Sequence, residues 1–268
     1  MTPIEKQEYY MSSIERLRGG GLERISWEKV YLLMDDLLND VPVISYKITN
    51  TSKIVRGRRL ESPDTFDDVR KLLYPPAKYC KTYGRCNKPG SPMLYGAIGY
   101  NLVFSELGAE IGDILGLVFL KPKRELNVCL LGALDLYRRT EGNCWLLDDT
   151  KMQIEPINKD PSKITAFLFD AFINDYFGSS GNDIIYKLTS AYSQALLESF
   201  PIIDGILYES VDHKRGTCLS IKPNIVDDDT EVTDAQIVRI TNHLGYGIYD
   251  FEEVARSAAV IKSNIKWV

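Results

Sequence analysis

The chain has 268 residues, 44% hydrophobic, 10% aromatic and 26% charged, a balance that suits a packed globular protein built around one large domain. Its 19 Gly and 12 Pro are ordinary in number, which excludes collagen-like and broadly disordered classes. A net charge of −5 supplies no global basic field for nucleic acid, and the longest apolar run, residues 114–120, is far short of the roughly 18 residues a membrane span needs.

The N-terminal MTPIEKQEYY has no apolar segment of a signal peptide. Residues 3–17 are predicted helical and end at Gly19-Gly20-Gly21. Ser26 caps a second helix, in which Trp27, Val30, Tyr31, Met34, Leu37 and Leu38 follow an i, i+3, i+4, i+7 rhythm until Asn39-Asp40 and Pro42 stop it. Residues 1–42 are expected to form an N-terminal helical extension, an accessory layer outside the catalytic set. Residues 43–48 alternate and are β-branched, so a strand is expected, and a second short strand ends at Val55-Arg56. Residues 60–92, with Pro63, Pro75, Pro76, Pro89 and Pro92, read as a long irregular stretch of the kind that is usually functional or disordered.

A short strand over 93–97 is followed by a helix over 100–110, with Tyr100, Val103, Phe104, Leu107 and Ile111 as its apolar positions. Segments 114–120 and 127–131 read as buried strands. Residues 161–199 return to a helical period in two helices split by a turn at 178–181, and strands resume at 202–208, 217–221 and 236–240. Regular β-α-β alternation is missing. The expected fold is therefore α+β, with mixed, mostly antiparallel sheets and flanking helices. The main domain is assigned to 43–248, with a helical insert around 160–199, and 249–268 is assigned to a C-terminal tail.

No P-loop, G-x-G-x-x-G or G-x-S-x-G occurs, which removes support for ordinary nucleoside-triphosphate, Rossmann and α/β-hydrolase readings. Two histidines, His213 and His243, leave few ways to build a Ser-His-Asp triad or a zinc site; His213 follows Ser210 by three residues, but that spacing proves nothing. The five cysteines are odd in number and never spaced C-x-x-C, so they are read as reduced thiols of a cytoplasmic protein.

Four segments carry chemistry-bearing residues. Val55-Arg56-Gly57-Arg58-Arg59 presents arginines whose planar forks suit phosphate, although a solvated basic turn has the same composition. Gly84-Arg85-Cys86-Asn87-Lys88-Pro89-Gly90 leaves the backbone open to a ligand and adds cations, as would a plain turn. Tyr95 lies on a strand and Glu106 on the helix after it, at the edge of the apolar stripe. Ser210 ends the strand segment Asp204-Gly205-Ile206-Leu207-Tyr208-Glu209-Ser210.

In this order these pieces resemble the RES domain, a family named for an Arg, a Glu and a Ser. The resemblance runs from about residue 43 to 240 and rests chiefly on GRCNKPGSPMLYGAIGYNLVFSEL (84–107), seconded by DGILYES (204–210). It implies a fold like that of ADP-ribosyltransferase toxins and an activity that consumes NAD+, within a toxin–antitoxin pair. The family's Arg falls on Arg56, with Arg58 on the same side of the strand as its alternative; its Glu falls on Glu106 and its Ser on Ser210, which makes Glu106, Arg56 and Ser210 the catalytic set. Arg85, Tyr95, Arg58 and Asn87 become the NAD+-binding set, and Cys86 fits the small residue often found after the Gly-Arg pair.

The implied chemistry suits these residue types. Cleaving the nicotinamide–ribose bond expels a neutral base, so no strong general acid is needed, and a carboxylate can face the oxocarbenium-like transition state. NAD+ is then a consumed substrate, with no resident cofactor and no metal. The expected protein partner is an antitoxin or immunity protein; no nucleic acid or membrane is expected. The leading activity is NAD+ glycohydrolase or phosphorylase. The alternatives are an ADP-ribosyltransferase with a macromolecular acceptor and a catalytically silent RES-like binding module.

Overall fold

The computed structural model describes residues 1–18, 20–62, 67–211, 216–261 and 263–268; Gly19, Pro63 and His213, named above, lie outside the described residues. The elements in chain order are α1 (Pro3–Leu17), α2 (Gly21–Arg24), α3 (Trp27–Leu38), β1 (Ser45–Ile48), β2 (Ile54–Leu60), β3 (Leu94–Ile98), α4 (Tyr100–Glu106), β4 (Ile114–Pro122) and β5 (Leu126–Leu130). They continue as α5 (Ala133–Arg139), α6 (Asp148–Asn158), α7 (Ile164–Phe177), α8 (Asp183–Ser199), β6 (Gly205–Glu209), β7 (Thr217–Ile221), α9 (Pro223–Asp229), β8 (Thr230–Gly245), β9 (Ile248–Ile261) and β10 (Asn264–Trp267). The fold is α+β. The chain forms two compact units, one of residues 1–46, 80–91 and 127–208, the other of residues 47–79, 92–126 and 209–268.

The first unit is mainly helical. The apolar stripe of α3 packs on α8, burying Val30, Met34 and Leu37 completely, and Trp27 Nε1 donates 2.9 Å to Ser190 Oγ. Helix α7 is apolar nearly all round, and Phe169, Phe172, Ile173 and Phe177 are each at most 1% exposed, as expected of a helix enclosed by others. Strands β5 and β6 pair in parallel over Val128↔Gly205 to Leu130↔Leu207. The expected N-terminal extension is thus corrected: residues 1–42 share a core with the helices after residue 127, because α3 buries its apolar stripe against α8, which also packs on α7 through Tyr192.

The second unit is a sheet in the order β7-β3-β2-β4-β8-β9-β10, antiparallel throughout the paired registers. Its centre is β4, where Leu115, Leu117 and Val118 are fully buried. Two expectations are corrected. Strand β2 does not end at Arg56; it pairs with β4 from Ile54↔Leu120 through Leu60↔Ile114, so the arginine run lies within the strand. Residues 249–268 are not a tail. They form most of β9 and all of β10, and β9 returns along β8 from the turn Gly245-Tyr246-Gly247.

Candidate active site

Helix α4 carries Glu106 as its last residue, and three features of the second unit hold it in place. Gly57 on β2 leaves room for it: a Cβ there would lie 2.3 Å from Val103 Cγ1 and 3.1 Å from Leu107 Cδ1, so a larger residue would overpack against these α4-side chains. Phe104, fully buried, packs edge-on against Tyr249 and Phe251 of β9. At the C-terminus Gly108 takes φ +56°, which lets its N–H reach Ser105 O at 2.9 Å and the Ala109 N–H reach Phe104 O at 2.9 Å, a Schellman closure.

Glu106 is exposed and closes a helix whose last turn has no basic residue. A carboxylate there faces the negative end of the helix dipole, so helix stability does not explain it. Its partner is Ser210: the buried hydroxyl donates to Glu106 Oε1 in a very short bond that joins residues 104 positions apart. Ser210 is itself fixed by its N–H, which donates 2.8 Å to Gly216 O. A hydroxyl–carboxylate pair of this kind holds a negative charge at a defined point and can take up or release a proton through the serine oxygen.

Arg56 and Tyr95 form a second association. Strand β2 pairs with β3 only at Ile54↔Ile98 and Val55↔Ala97, and beyond that point Arg56 Nη1 donates 3.0 Å to Tyr95 O. Strand alternation separates the arginines by face. Gly57 and Arg59 share the α4 side, and Arg59 Nη2 reaches Leu107 O at 3.3 Å, Gly108 O at 3.0 Å and Asp113 Oδ2 at 2.8 Å. Arg56 and Arg58 leave from the other side, where Arg58 Nη1 donates 3.0 Å to Lys71 O. Tyr95 shares the α4 side through its neighbour Ala97, which faces Val55.

Arg85 and Asn87 belong to the first unit. Arg85 Nη1 donates to Phe177 O and, at 3.4 Å, to Tyr176 O; Nη2 donates to Ser179 O at 3.2 Å. Its guanidinium also lies 5.5 Å from the Tyr186 ring centroid and 5.9 Å from that of Tyr208. Arg85 therefore satisfies the carbonyls at the end of α7. The Asn87 side-chain amide donates to Cys80 Sγ at 3.1 Å and to Lys88 O at 3.3 Å, closing its own loop.

The structure thus joins the side chains of Glu106 and Ser210 inside one unit, links Arg56 to Tyr95 only through the Tyr95 carbonyl with the two side chains on opposite faces of the sheet, and gives Arg85 and Asn87 backbone and loop partners in the other. Sequence reasoning missed Gly57 and Arg59, which set the position of α4; strand alternation through Arg56-Gly57-Arg58-Arg59 was the signal that could have found them. Cys129 is no rival nucleophile. Burial in the first unit pushes its thiol up to about 12, so the thiolate is scarce at neutral pH.

No protein-family model matches the chain, and no curated protein does. Among solved structures the chain is similar to a chain from the crystal structure of the M. tuberculosis MbcT–MbcA toxin–antitoxin complex, at 10% identity and a TM-score of 0.38, over 77% of this chain and 92% of that one.

Proposed function

We propose that this protein cleaves the nicotinamide–ribose bond of NAD+ and acts as a toxin held in check by a protein antitoxin. The observation that supports the reading most is the bond from Ser210 to Glu106, because these are the Ser and Glu on which the RES resemblance falls.

In this reading the C1′–N bond of the nicotinamide riboside breaks first. Its electron pair goes to the pyridinium nitrogen, which leaves as neutral nicotinamide, and positive charge collects on C1′ and the ring oxygen. The Glu106 carboxylate faces that charge, held in orientation by Ser210. Tyr95, on the α4 side of the sheet, borders the base, and Arg56, which leaves β2 from the other side, positions Tyr95 through its carbonyl. Water then adds to C1′ and releases a proton, giving ADP-ribose; phosphate as acceptor gives ADP-ribose 1″-phosphate instead.

The test is product analysis after incubating purified protein with NAD+, with and without phosphate and cell extract. Nicotinamide with ADP-ribose indicates hydrolysis, a phosphorylated ADP-ribose indicates phosphorolysis, and labelled macromolecule indicates transfer. No nicotinamide under any condition overturns the proposal and leaves a silent binding module.

A further inference from the structure

The second unit carries an open cleft of about 510 Å³, lined mostly by exposed side chains, that none of the residues above enters. Three cations line it, Lys53, Lys121 and Arg256, together with the hydroxyl-bearing Thr51, Ser52 and Thr233. Asp234 is the one carboxylate in the lining, and its acceptor capacity is already engaged. Oδ2 accepts from Arg256 Nη2 at 2.7 Å and from Gln236 Nε2 at 3.3 Å, while Oδ1 accepts from Ser257 Oγ at 2.7 Å. With Asp234 only 9% exposed, this set is a built substructure rather than a loose surface pair.

Once Asp234 and Arg256 have answered each other, two ammonium groups remain. Among the described residues neither Lys53 nor Lys121 enters an ion pair, and Lys53 Nζ rests 4.8 Å from the Phe119 ring centroid. Both lysines are exposed, and Lys121 lies across the β4–β8 pair from Glu231, so they give the cleft a modest, solvent-screened positive charge that suits an anion at low ionic strength. The strands are also irregular there. Phe119 faces Asp234 but Leu120 faces Val232, so Thr233 is an extra residue in β8; on the next strands Lys266 faces Ala259 but Trp267 faces Ser257. Bulges of this kind re-aim side chains and occur next to ligand sites more often than elsewhere.

We propose that this cleft binds a phosphorylated small molecule through its phosphate oxygens. Lysine serves as a compact point charge for phosphate, and the Thr51 and Ser52 hydroxyls, which share Thr49 Oγ1 at 2.8 and 3.3 Å, can turn to donate beside it, whereas the Thr233 hydroxyl already donates to Phe119 O at 3.3 Å. The volume falls in the range of small-molecule sites. Free pyrophosphate and the phosphate tail of a nucleotide share this chemistry, and the experiment separates them.

Amide NMR spectra of the full chain are recorded during titration with pyrophosphate, with AMP and with adenosine at low ionic strength. Pyrophosphate or AMP should shift the amides of Thr51, Ser52, Lys53 and Thr233, and adenosine should not. Tighter binding of AMP assigns the site to a nucleotide; tighter binding of pyrophosphate assigns it to the free oxyanion. The double variant Lys53→Ala/Lys121→Ala should bind about tenfold or more weakly, as expected for losing charge-assisted hydrogen bonds. Lys121→Gln alone provides the check should the double variant not fold. Shifts confined to other amides, or unchanged affinity in the folded lysine variants, would overturn the proposal.

Discussion

Arg85 in the first unit and Glu106 in the second illustrate two ways a charged residue can be held. Arg85 is bonded to the carbonyls of Tyr176, Phe177 and Ser179 and flanked by the rings of Tyr186 and Tyr208, so its donors already serve the end of α7. Glu106 stands exposed at a helix C-terminus, where the dipole opposes it, and is held by one hydroxyl. A charge that completes its surroundings is explained by stability. A charge placed against its surroundings asks for a different explanation, and in the proposed function that explanation is the oxocarbenium ion it faces.

The contrast can be broken most severely at Glu106. Glu106→Gln keeps size and hydrogen-bonding reach but removes the charge, and nicotinamide release should fall on the order of 100- to 1000-fold. Its unfolding free energy should stay within about 0.5 kcal/mol of the parent, as for most exposed substitutions. Arg85→Ala should show the opposite balance. Leaving carbonyls of α7 without donors should cost about 2–3 kcal/mol in urea unfolding, and Arg85→Lys should recover only part, since an ammonium cannot reproduce the fork. A stable Arg85→Ala protein would remove the structural half of the comparison.

A smaller effect is expected at the seat of α4. Gly57→Ala should destabilise by about 1–2 kcal/mol through overpacking against Val103, and adding Val103→Ala should restore much of the loss. If Gly57→Ala is neutral alone, α4 does not depend on that contact. The gentlest test concerns Asp170 in the first unit, which accepts the N–H groups of Gly132 and Asp135, each at 3.0 Å. Burial pushes its carboxyl up from 3.8 to about 6, and the hydrogen bonds oppose that rise. The folded state therefore holds a proton that the unfolded chain releases, so this residue's contribution is greatest below about pH 4 and declines as pH rises to about 6. In Asp170→Asn that decline should vanish from urea unfolding curves measured across the interval; its persistence would assign it to another group.

Much of the fold was legible because it follows from local patterning. The Ser26-capped helix is α3, its Ser26 Oγ accepting from Lys29 N, and the strand at 217–221 is β7. The two helices split near residue 180 are α7 and α8. What escaped were elements whose pattern is weak or polar. Helix α6 contains Pro156, which reads as a breaker, and β9 buries little besides Tyr249, so its alternation carried no apolar signal. The turn Gly245-Tyr246-Gly247, all at positive φ, was the available clue to the β8–β9 hairpin. The sequence ends β2 early because Arg58 and Arg59 look like a solvated turn, whereas Arg59 bonds the carbonyls at the end of α4. For the candidate site, segment order pointed to Glu106 and Ser210, but no single-sequence pattern could reveal that they touch. Nor could it reveal that the donors of Arg85 meet α7, since that contact joins residues more than 90 positions apart.

The central claim, that Glu106 and Ser210 act as one unit, is tested most directly by a double-mutant cycle on nicotinamide release. Parent, Glu106→Gln, Ser210→Ala and the double variant are compared in single-turnover assays, with folding checked for each. The double variant should be no slower than Glu106→Gln by more than a few-fold, because Ser210 works through the carboxylate already removed. Losses that multiply, or a Glu106→Gln protein that releases nicotinamide at the parental rate, would contradict the account.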